Sequence, residues 1–137
     1  MTLSTAAVSG GDPCPCGTGA TYATCCAAYV IDGTPPPTAE ALMRSRYVAY
    51  VVGAEDHLFR TWHPRTRPDD VSVDEDLRWT GLDLVAVEDG GVDDRSGTVE
   101  FVARWVAHGQ HGQLQERSTF ARRGGRWVYV EATDPTR

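Results

Sequence analysis

Thr98-Val99-Glu100-Phe101-Val102-Ala103-Arg104-Trp105-Val106-Ala107 places its bulkier side chains two residues apart, which is the period of a β-strand. Similar runs lie before it at 81–87 and after it at 113–121 and 126–132. The runs are separated by Asp89-Gly90-Gly91, Gly109-Gln110-His111-Gly112 and Gly124-Gly125, residues that turn a chain rather than extend it. Strands that follow one another this closely pair antiparallel, so the last three are expected to form a meander. Alternation then assigns faces. Phe101, Ala103 and Trp105 share one side of the second run, and Leu114, Glu116, Ser118 and Phe120 one side of the third. On the fourth the set is Trp127, Tyr129 and Glu131. If these are the core faces, Glu116 points inward and needs a cation or hydrogen-bond donors. The opposite assignment would leave it in solvent.

Upstream the period changes to helical. Thr38 fits an N-cap, 39–52 a helix and Gly53 its stop, with Leu42, Met43, Tyr47, Tyr50 and Val51 forming one apolar stripe. Arg44 and Arg46 flank that stripe and are the nearest candidates to answer Glu116. A second short helix is predicted over 55–62, with Leu58, Phe59 and Trp62 inward, ended by His63-Pro64. The stretch 68–75 is turn-rich and acidic, with room for a short helix before Trp79. Helices first and strands afterwards describe an α+β domain, helices packed on one face of a curved antiparallel sheet, over 38–133. The run Asp32-Gly33-Thr34-Pro35-Pro36-Pro37 cannot be helical and reads as an extended Pro-rich linker ahead of it.

Before the linker stand all four cysteines of the chain: Cys14, Cys16, Cys25 and Cys26, spaced C-x-C-x8-C-C. Pro13 and Pro15 stiffen the first pair. Gly17 and Gly19 permit positive φ near the sulfurs and leave amides to point at thiolates. Cys25 and Cys26 would close the site from a short helix over 21–28. A disulfide within either pair would be a small strained ring, and cross-pairing suits an oxidising compartment. Redox pairs more often have two intervening residues. The preferred reading is one tetrahedral Zn²⁺ on four thiolates, a closed structural site. Residues 12–31 then form a metal module, and 1–11 a flexible N-terminus.

Charge and composition exclude several classes. The net charge is −6, with no lysine among the 13 basic residues. Residues 1–37 carry two acids and no base, and 69–94 carry ten acids against Arg78 alone. That balance argues against nucleic-acid binding, although arginines in 44–67 and 117–126 leave a local patch open. The longest apolar run, near 48–52, is far too short to span a bilayer, and the first ten residues do not resemble a secretory signal. A cytoplasmic location is therefore expected.

Two resemblances follow from these residues. Cys14-Pro15-Cys16-Gly17-Thr18-Gly19 with Tyr22 and Cys25-Cys26 looks like the SEC-C motif, the zinc module at the C-terminus of the SecA translocase. The resemblance implies that the four cysteines ligate zinc. Thr18 stands where that motif usually has serine. The SecA module is lysine-rich and docks on an acidic chaperone, whereas four thiolates on Zn²⁺ with no base nearby carry a charge of about −2, so that partner is not carried over. Further on, Met43-Arg44-Ser45-Arg46-Tyr47-Val48-Ala49-Tyr50, Thr61-Trp62-His63-Pro64, Glu116-Arg117-Ser118-Thr119-Phe120 and Gly125-Arg126-Trp127-Val128-Tyr129-Val130 resemble the bacterial YchJ family. That resemblance spans nearly the whole chain. It implies a SEC-C module joined to a cone-shaped domain similar to nuclear transport factor 2 (cystatin-like). Gln115 stands where the family often has histidine.

The candidate pocket residues are Arg44, Arg46, Tyr47, Trp62, His63 and Glu116. No nucleophile, phosphate loop or catalytic metal triad is apparent, and a non-enzymatic reading is preferred. In it, the zinc module serves stability or protein contact, and the cone binds a small ligand or a protein partner, with a homodimer also allowed. The competing reading is a small-molecule isomerase or hydrolase using Glu116 or His63. The two differ in whether Glu116 lies in a solvent-connected cavity or is sealed by Arg44 or Arg46.

Overall fold

The computed structural model describes residues 7–133. After a 3₁₀ turn over Tyr22–Thr24 come helices α1 (Ala27–Val30), α2 (Ala39–Val52) and α3 (Glu55–Arg60). Strands β1 (Arg78–Asp89), β2 (Ser96–Ala107), β3 (Gln110–Arg123) and β4 (Arg126–Thr133) follow. The four strands form one antiparallel sheet in sequence order, β1-β2-β3-β4. The architecture is the α+β one expected, with α2 laid across the inner face of the meander. Among the described residues no helix is long and apolar enough to cross a membrane.

Helix α2 is delimited by its caps. Thr38 Oγ1 accepts the Ala41 N–H at 3.0 Å, and Gly53, at φ 79°, returns its N–H to the Ala49 carbonyl. The Ala39 N–H reaches the Gly90 carbonyl at 2.9 Å, pinning the start of α2 to the β1–β2 turn. A side chain at Gly90 would collide with Ala39, so glycine is required there for contact as well as for its φ of 79°. Burial on α2 is wider than one stripe. Ser45, Arg46, Val48 and Ala49 are buried along with Leu42, Met43, Tyr47 and Val51, because α3 covers the flank that the sheet leaves open.

The second helix ends earlier than expected, at Arg60, and Phe59 faces outward at 43% exposure. Residues 61–63 leave the helix to run beside β4: the Tyr129 N–H donates to Thr61 O and the His63 N–H to Tyr129 O. Parallel pairing with the sheet edge satisfies backbone groups that a further helical turn would have used. No helix forms between 68 and 77.

Two further differences lie in the sheet. The β2–β3 turn is the two-residue His108-Gly109, at φ 51° and 78°, so Gln110, His111 and Gly112 belong to β3. Such a tight hairpin needs left-handed φ at both positions and matches the twist of the flanking strands. Trp105 leaves the core and packs its indole over Gly112, its cross-strand partner. On β4 the register slips: Phe120 faces Tyr129, but Thr119 faces Glu131. The extra residue, Val130, is a bulge that turns Glu131 to the outer face, where it is exposed. Trp127 and Tyr129 keep the inner side.

Of the N-terminal stretch expected to be flexible, residues 1–6 lie outside the described residues. Further along, the Asp12 N–H closes a turn on Ser9 O and the Ala23 N–H meets Gly10 O, both at 3.0 Å. The extended run 32–37 is held at its end by the Trp127 indole, which donates to Pro37 O at 3.1 Å.

Candidate metal centre and cone cavity

The sulfurs of Cys14, Cys16, Cys25 and Cys26 lie within 4.8 Å of one another. Local chain geometry brings them there. The Cys14 N–H bonds to Ala20 O at 2.9 Å and the Gly17 N–H to Cys14 O at 3.1 Å, folding 14–20 into a knuckle that Gly17 and Gly19 turn at φ 87° and 90°. The 3₁₀ turn that follows then delivers the second pair. The expected helix over 21–28 is split at Cys25, whose backbone at φ −124°, ψ −104° is not helical. That break lets two adjacent cysteines face one point.

Four sulfurs placed 2.3 Å from one ion at tetrahedral corners stand about 3.8 Å apart. The separations Cys16–Cys25, 3.5 Å, and Cys25–Cys26, 3.9 Å, fit that figure, so the donor set suits a four-thiolate metal site. The thiols of Cys14, Cys16 and Cys26 perturb one another strongly. Burial holds the Cys14 thiol up at about 11. Cys26 is driven up by its hydrogen bond to Cys16, then by burial and the other sulfurs. Cys16, receiving that hydrogen bond, is held down at about 4 despite its burial. The amides facing the sulfurs come from Cys16, Thr18 and Cys26, whereas the Gly17 amide goes to a carbonyl. Thr18 Oγ1 lies 3.2 Å from Cys25 Sγ and accepts from the Ala20 N–H, so its hydroxyl performs a local role that serine would also fill.

The knuckle is continuous with the cone. Cys14, Cys16, Tyr22, Cys26 and Val30 belong to the same buried cluster as Leu42, Phe101 and Trp127. Arg44 does not approach Glu116. Its Nη1 donates to the Cys16 carbonyl at 2.6 Å while its Nε bonds to Glu40 at 3.0 Å, setting a positive charge beside a cluster with no base of its own.

The second site is a cavity of about 340 Å³ between α2 and the sheet. Helix α2 contributes Met43, Arg46, Tyr47 and Tyr50, and β3 contributes Leu114, Glu116, Ser118 and Phe120. Trp62, Trp79, Phe101, Ala103 and Tyr129 complete its wall. Four of the six candidates therefore meet here: Arg46, Tyr47, Trp62 and Glu116. Arg44 is at the knuckle. His63 lies outside the cavity, and its Nδ1 accepts the Arg65 N–H at 3.1 Å, anchoring a turn.

Arg46 is 6% exposed and has no carboxylate partner among the described residues. Nη1 donates to Leu58 O at 2.9 Å and to Thr61 Oγ1 at 2.7 Å, while the guanidinium carbon sits 5.0 Å from the Trp62 ring centre and 4.7 Å from that of Tyr129. Burial lowers its pKa to about 10, which leaves it charged at neutral pH. Aromatic faces and a carbonyl take the place of a carboxylate.

Glu116 faces inward from β3, opposite Phe101 on β2. Among the described residues it has no hydrogen-bond or ion-pair partner. Its pKa is raised, and desolvation is the cause. Burial, with Glu116 adding to it, pushes the Tyr129 hydroxyl up to about 12. The Trp62 indole N–H is buried and likewise has no acceptor among the described residues.

Sequence reasoning missed a second buried polar pair. Ser45 donates to Leu42 O at 2.7 Å, so His57 Nε2, 2.9 Å from Ser45 Oγ, must be the protonated nitrogen. His57 is 2% exposed, and its Nδ1 is left without a partner. A serine on an otherwise buried helix was the available signal.

Comparison with known proteins agrees with this arrangement. The family profile described as "YchJ, middle NTF2-like domain" matches residues 38–132, and the SEC-C motif matches 12–28. A UPF0225 protein of Chromobacterium violaceum is 50% identical, covering 85% of this chain and 89% of its own. One from Streptomyces coelicolor is 47% identical, covering 87% and 93%. The solution structure of a SEC-C motif containing protein from Rhodopseudomonas palustris superposes with a TM-score of 0.76 at 32% identity, over 88% of this chain and 96% of that one. A crystal structure of a sec-c motif containing protein from Psychrobacter arcticus gives 0.70 at 26% identity, over 93% and 83%.

Proposed function

The chain belongs to the YchJ-like UPF0225 family, and from that premise we propose that it is a zinc-stabilised, ligand-binding protein of the cytoplasm. Cys14, Cys16, Cys25 and Cys26 would hold one Zn²⁺. Four thiolates fill its coordination sphere, so the ion supplies folding energy rather than a reactive water. The cone would take a small, mostly apolar organic molecule that offers an N–H or amine to Glu116.

The observation that carries this reading is the unpaired Glu116 carboxyl in an aromatic cavity. A carboxylate half removed from water with nothing to accept from is destabilising, and a packing scaffold would seal it. Arg46 lines the same cavity and is spent elsewhere. A volume of about 340 Å³ is at the low end of small-molecule sites. The rings of Tyr47, Tyr50, Trp62 and Trp79 present faces that attract a protonated amine as well as an apolar one.

One observation favours a catalytic variant. A carboxyl whose pKa is raised by desolvation is a stronger base than an ordinary glutamate, so an isomerase acting through Glu116 is the enzymatic form of this proposal. His63, outside the cavity, has no part in it.

Native mass spectrometry of the purified chain tests both halves. The expected spectrum shows one zinc that is lost in a Cys25→Ser/Cys26→Ser variant, and a co-purified small molecule that is lost in Glu116→Gln. Quenching of Trp62 and Trp79 fluorescence by a panel of aromatic amines reports on the cavity in solution. A metal-free chain with four reactive thiols would overturn the zinc reading. A panel without quenching, together with a spectrum of chain and zinc alone, would overturn the ligand reading. Turnover of a bound compound that stops in Glu116→Gln would decide for the isomerase.

A further inference from the structure

A second concavity, of about 230 Å³, lies on the other side of Trp62 from the cone cavity. It is lined by Arg60, Arg67, Arg123 and Arg126, and among the described residues no carboxylate contributes to it. In a chain of net charge −6, four of its arginines converge on one hollow. They come from two distant segments, the end of α3 with the loop after it and the β3–β4 hairpin. None of the four has a carboxylate partner among the ion pairs of the described residues.

The hairpin pair is the clearest sign. Arg123 and Arg126 stand directly opposite across the Gly124-Gly125 turn, so both side chains leave the same face. Like charges in that position repel and destabilise the pairing. On the facing wall Arg67 is fixed in place: its guanidinium carbon stacks 3.7 Å from the Phe59 ring centre, and Nη1 donates to Phe59 O at 3.2 Å. Arg60 stays exposed, with its Nη1 beside the extended run 32–37, where a Cβ at Gly33 would come within 3.1 Å of it. The neighbouring His57, whose pKa is depressed first by burial and then by Arg46, also feels the charge of Arg60. Such an arrangement is relieved by an anion, and the fork of a guanidinium matches phosphate oxygens two at a time.

We propose that this arginine-lined hollow binds the phosphate group of a small phosphate monoester, with Tyr29 and Pro35 flanking the organic part. The ligand is small because the hollow is bounded. A polyanion leaving it would meet a molecule that is acidic overall, and 69–94 carries ten acids against one arginine. The site is separate from the cone cavity and does not depend on what fills it.

The test is an amide NMR titration of the full, metal-loaded chain with inorganic phosphate, phenyl phosphate and phenol. Saturable shifts at Thr34, Thr61 and Arg126 are expected with both phosphates. Phenyl phosphate should bind more tightly than inorganic phosphate, and phenol should leave these amides unmoved. Removing two exposed guanidinium groups in Arg123→Gln/Arg126→Gln should weaken phenyl phosphate at least about tenfold, as lost charge-assisted hydrogen bonds do. Arg60→Gln, on the opposite wall, gives the same direction without touching the hairpin. Absence of saturation at millimolar phosphate, or affinity unchanged in both variants, would overturn the proposal. So would a short oligothymidylate binding these residues more tightly than phenyl phosphate, which would assign the hollow to nucleic acid.

Discussion

The knuckle and the cone cavity both gather groups that titrate, and they differ in how those groups are answered. In the knuckle, thirteen residues hold the four sulfurs, the amides that face them and the Thr18 hydroxyl, and Arg44 reaches in from α2. In the cavity, the wall is assembled from residues between Met43 and Tyr129, and its one carboxyl is left unanswered. A site saturated by its own neighbours stabilises the fold, whereas a site with an open valence is a place for something else. The contrast makes opposite predictions for removing a group from each.

The largest effect belongs to the knuckle. Three of its cysteines share one buried cluster with α2 and the sheet, so losing the proposed metal should weaken the whole chain rather than release an appendage. Cys16→Ser, or exhaustive chelation, is expected to lower the denaturation midpoint by on the order of 10 °C, in one transition, as the loss of several kcal/mol does in a domain this size. Calorimetry checks it. Two separate transitions, with the cone's midpoint unchanged, would break the comparison by making the knuckle an independent unit.

The knuckle was also the more legible region, for the same reason: its partners are close in sequence. Cys14 to Cys26 displays its ligand spacing directly, and Thr38 and Gly53 announce the ends of α2. Alternation on β3 groups Glu116 with Leu114, Ser118 and Phe120 but leaves open which face is inward, and only the packing of α2 on the sheet decides it. Alternation fails at Glu131, because the bulge at Val130 changes parity and leaves no signature in composition. It also misplaces the β2–β3 turn, since Gly109-Gln110-His111-Gly112 has a loop's composition while the left-handed pair is His108-Gly109. Arg46 was read as flanking a stripe. Only the position of α3, a long-range fact, makes its side of the helix interior. The arginine hollow is the extreme case, since Arg60 and Arg126 are 66 positions apart and nothing local joins them.

A smaller effect tests the wall of the arginine hollow, which His57 helps to line. Burial, then Arg46, then Arg60 depress His57 from 6.5 to about 4, so it folds as a neutral ring. The folded pKa lies below the unfolded one. Stability from this group is complete above about pH 6.5 and is lost as pH falls toward 4, because the unfolded chain then binds the extra proton. The loss is on the order of 3 kcal/mol across that window. His57→Gln, which keeps an N–H for Ser45, should flatten the pH dependence of the urea midpoint relative to the parent chain. Release of the proposed metal in acid would affect both chains alike, so the difference between the two curves isolates the histidine. Parallel curves would mean that His57 is solvated and that Arg60 projects no field into the interior.

The smallest effect has the opposite sign and bears most directly on the cavity. Desolvation raises the Glu116 pKa, so the ionised carboxylate is solvated better in the unfolded state than in the folded one. Here the folded chain is the one that binds the extra proton as pH falls, and the cost shrinks on acidification. Glu116→Gln should therefore raise the thermal midpoint at neutral pH by a few degrees or less, with the gap to the parent chain narrowing as pH falls toward the ordinary glutamate value of 4.5. A stabilising substitution that abolishes ligand binding is the mark of a group kept for use rather than for folding. If Glu116→Gln instead destabilises at every pH, the carboxyl has a structural partner, and the cavity falls into the same class as the knuckle.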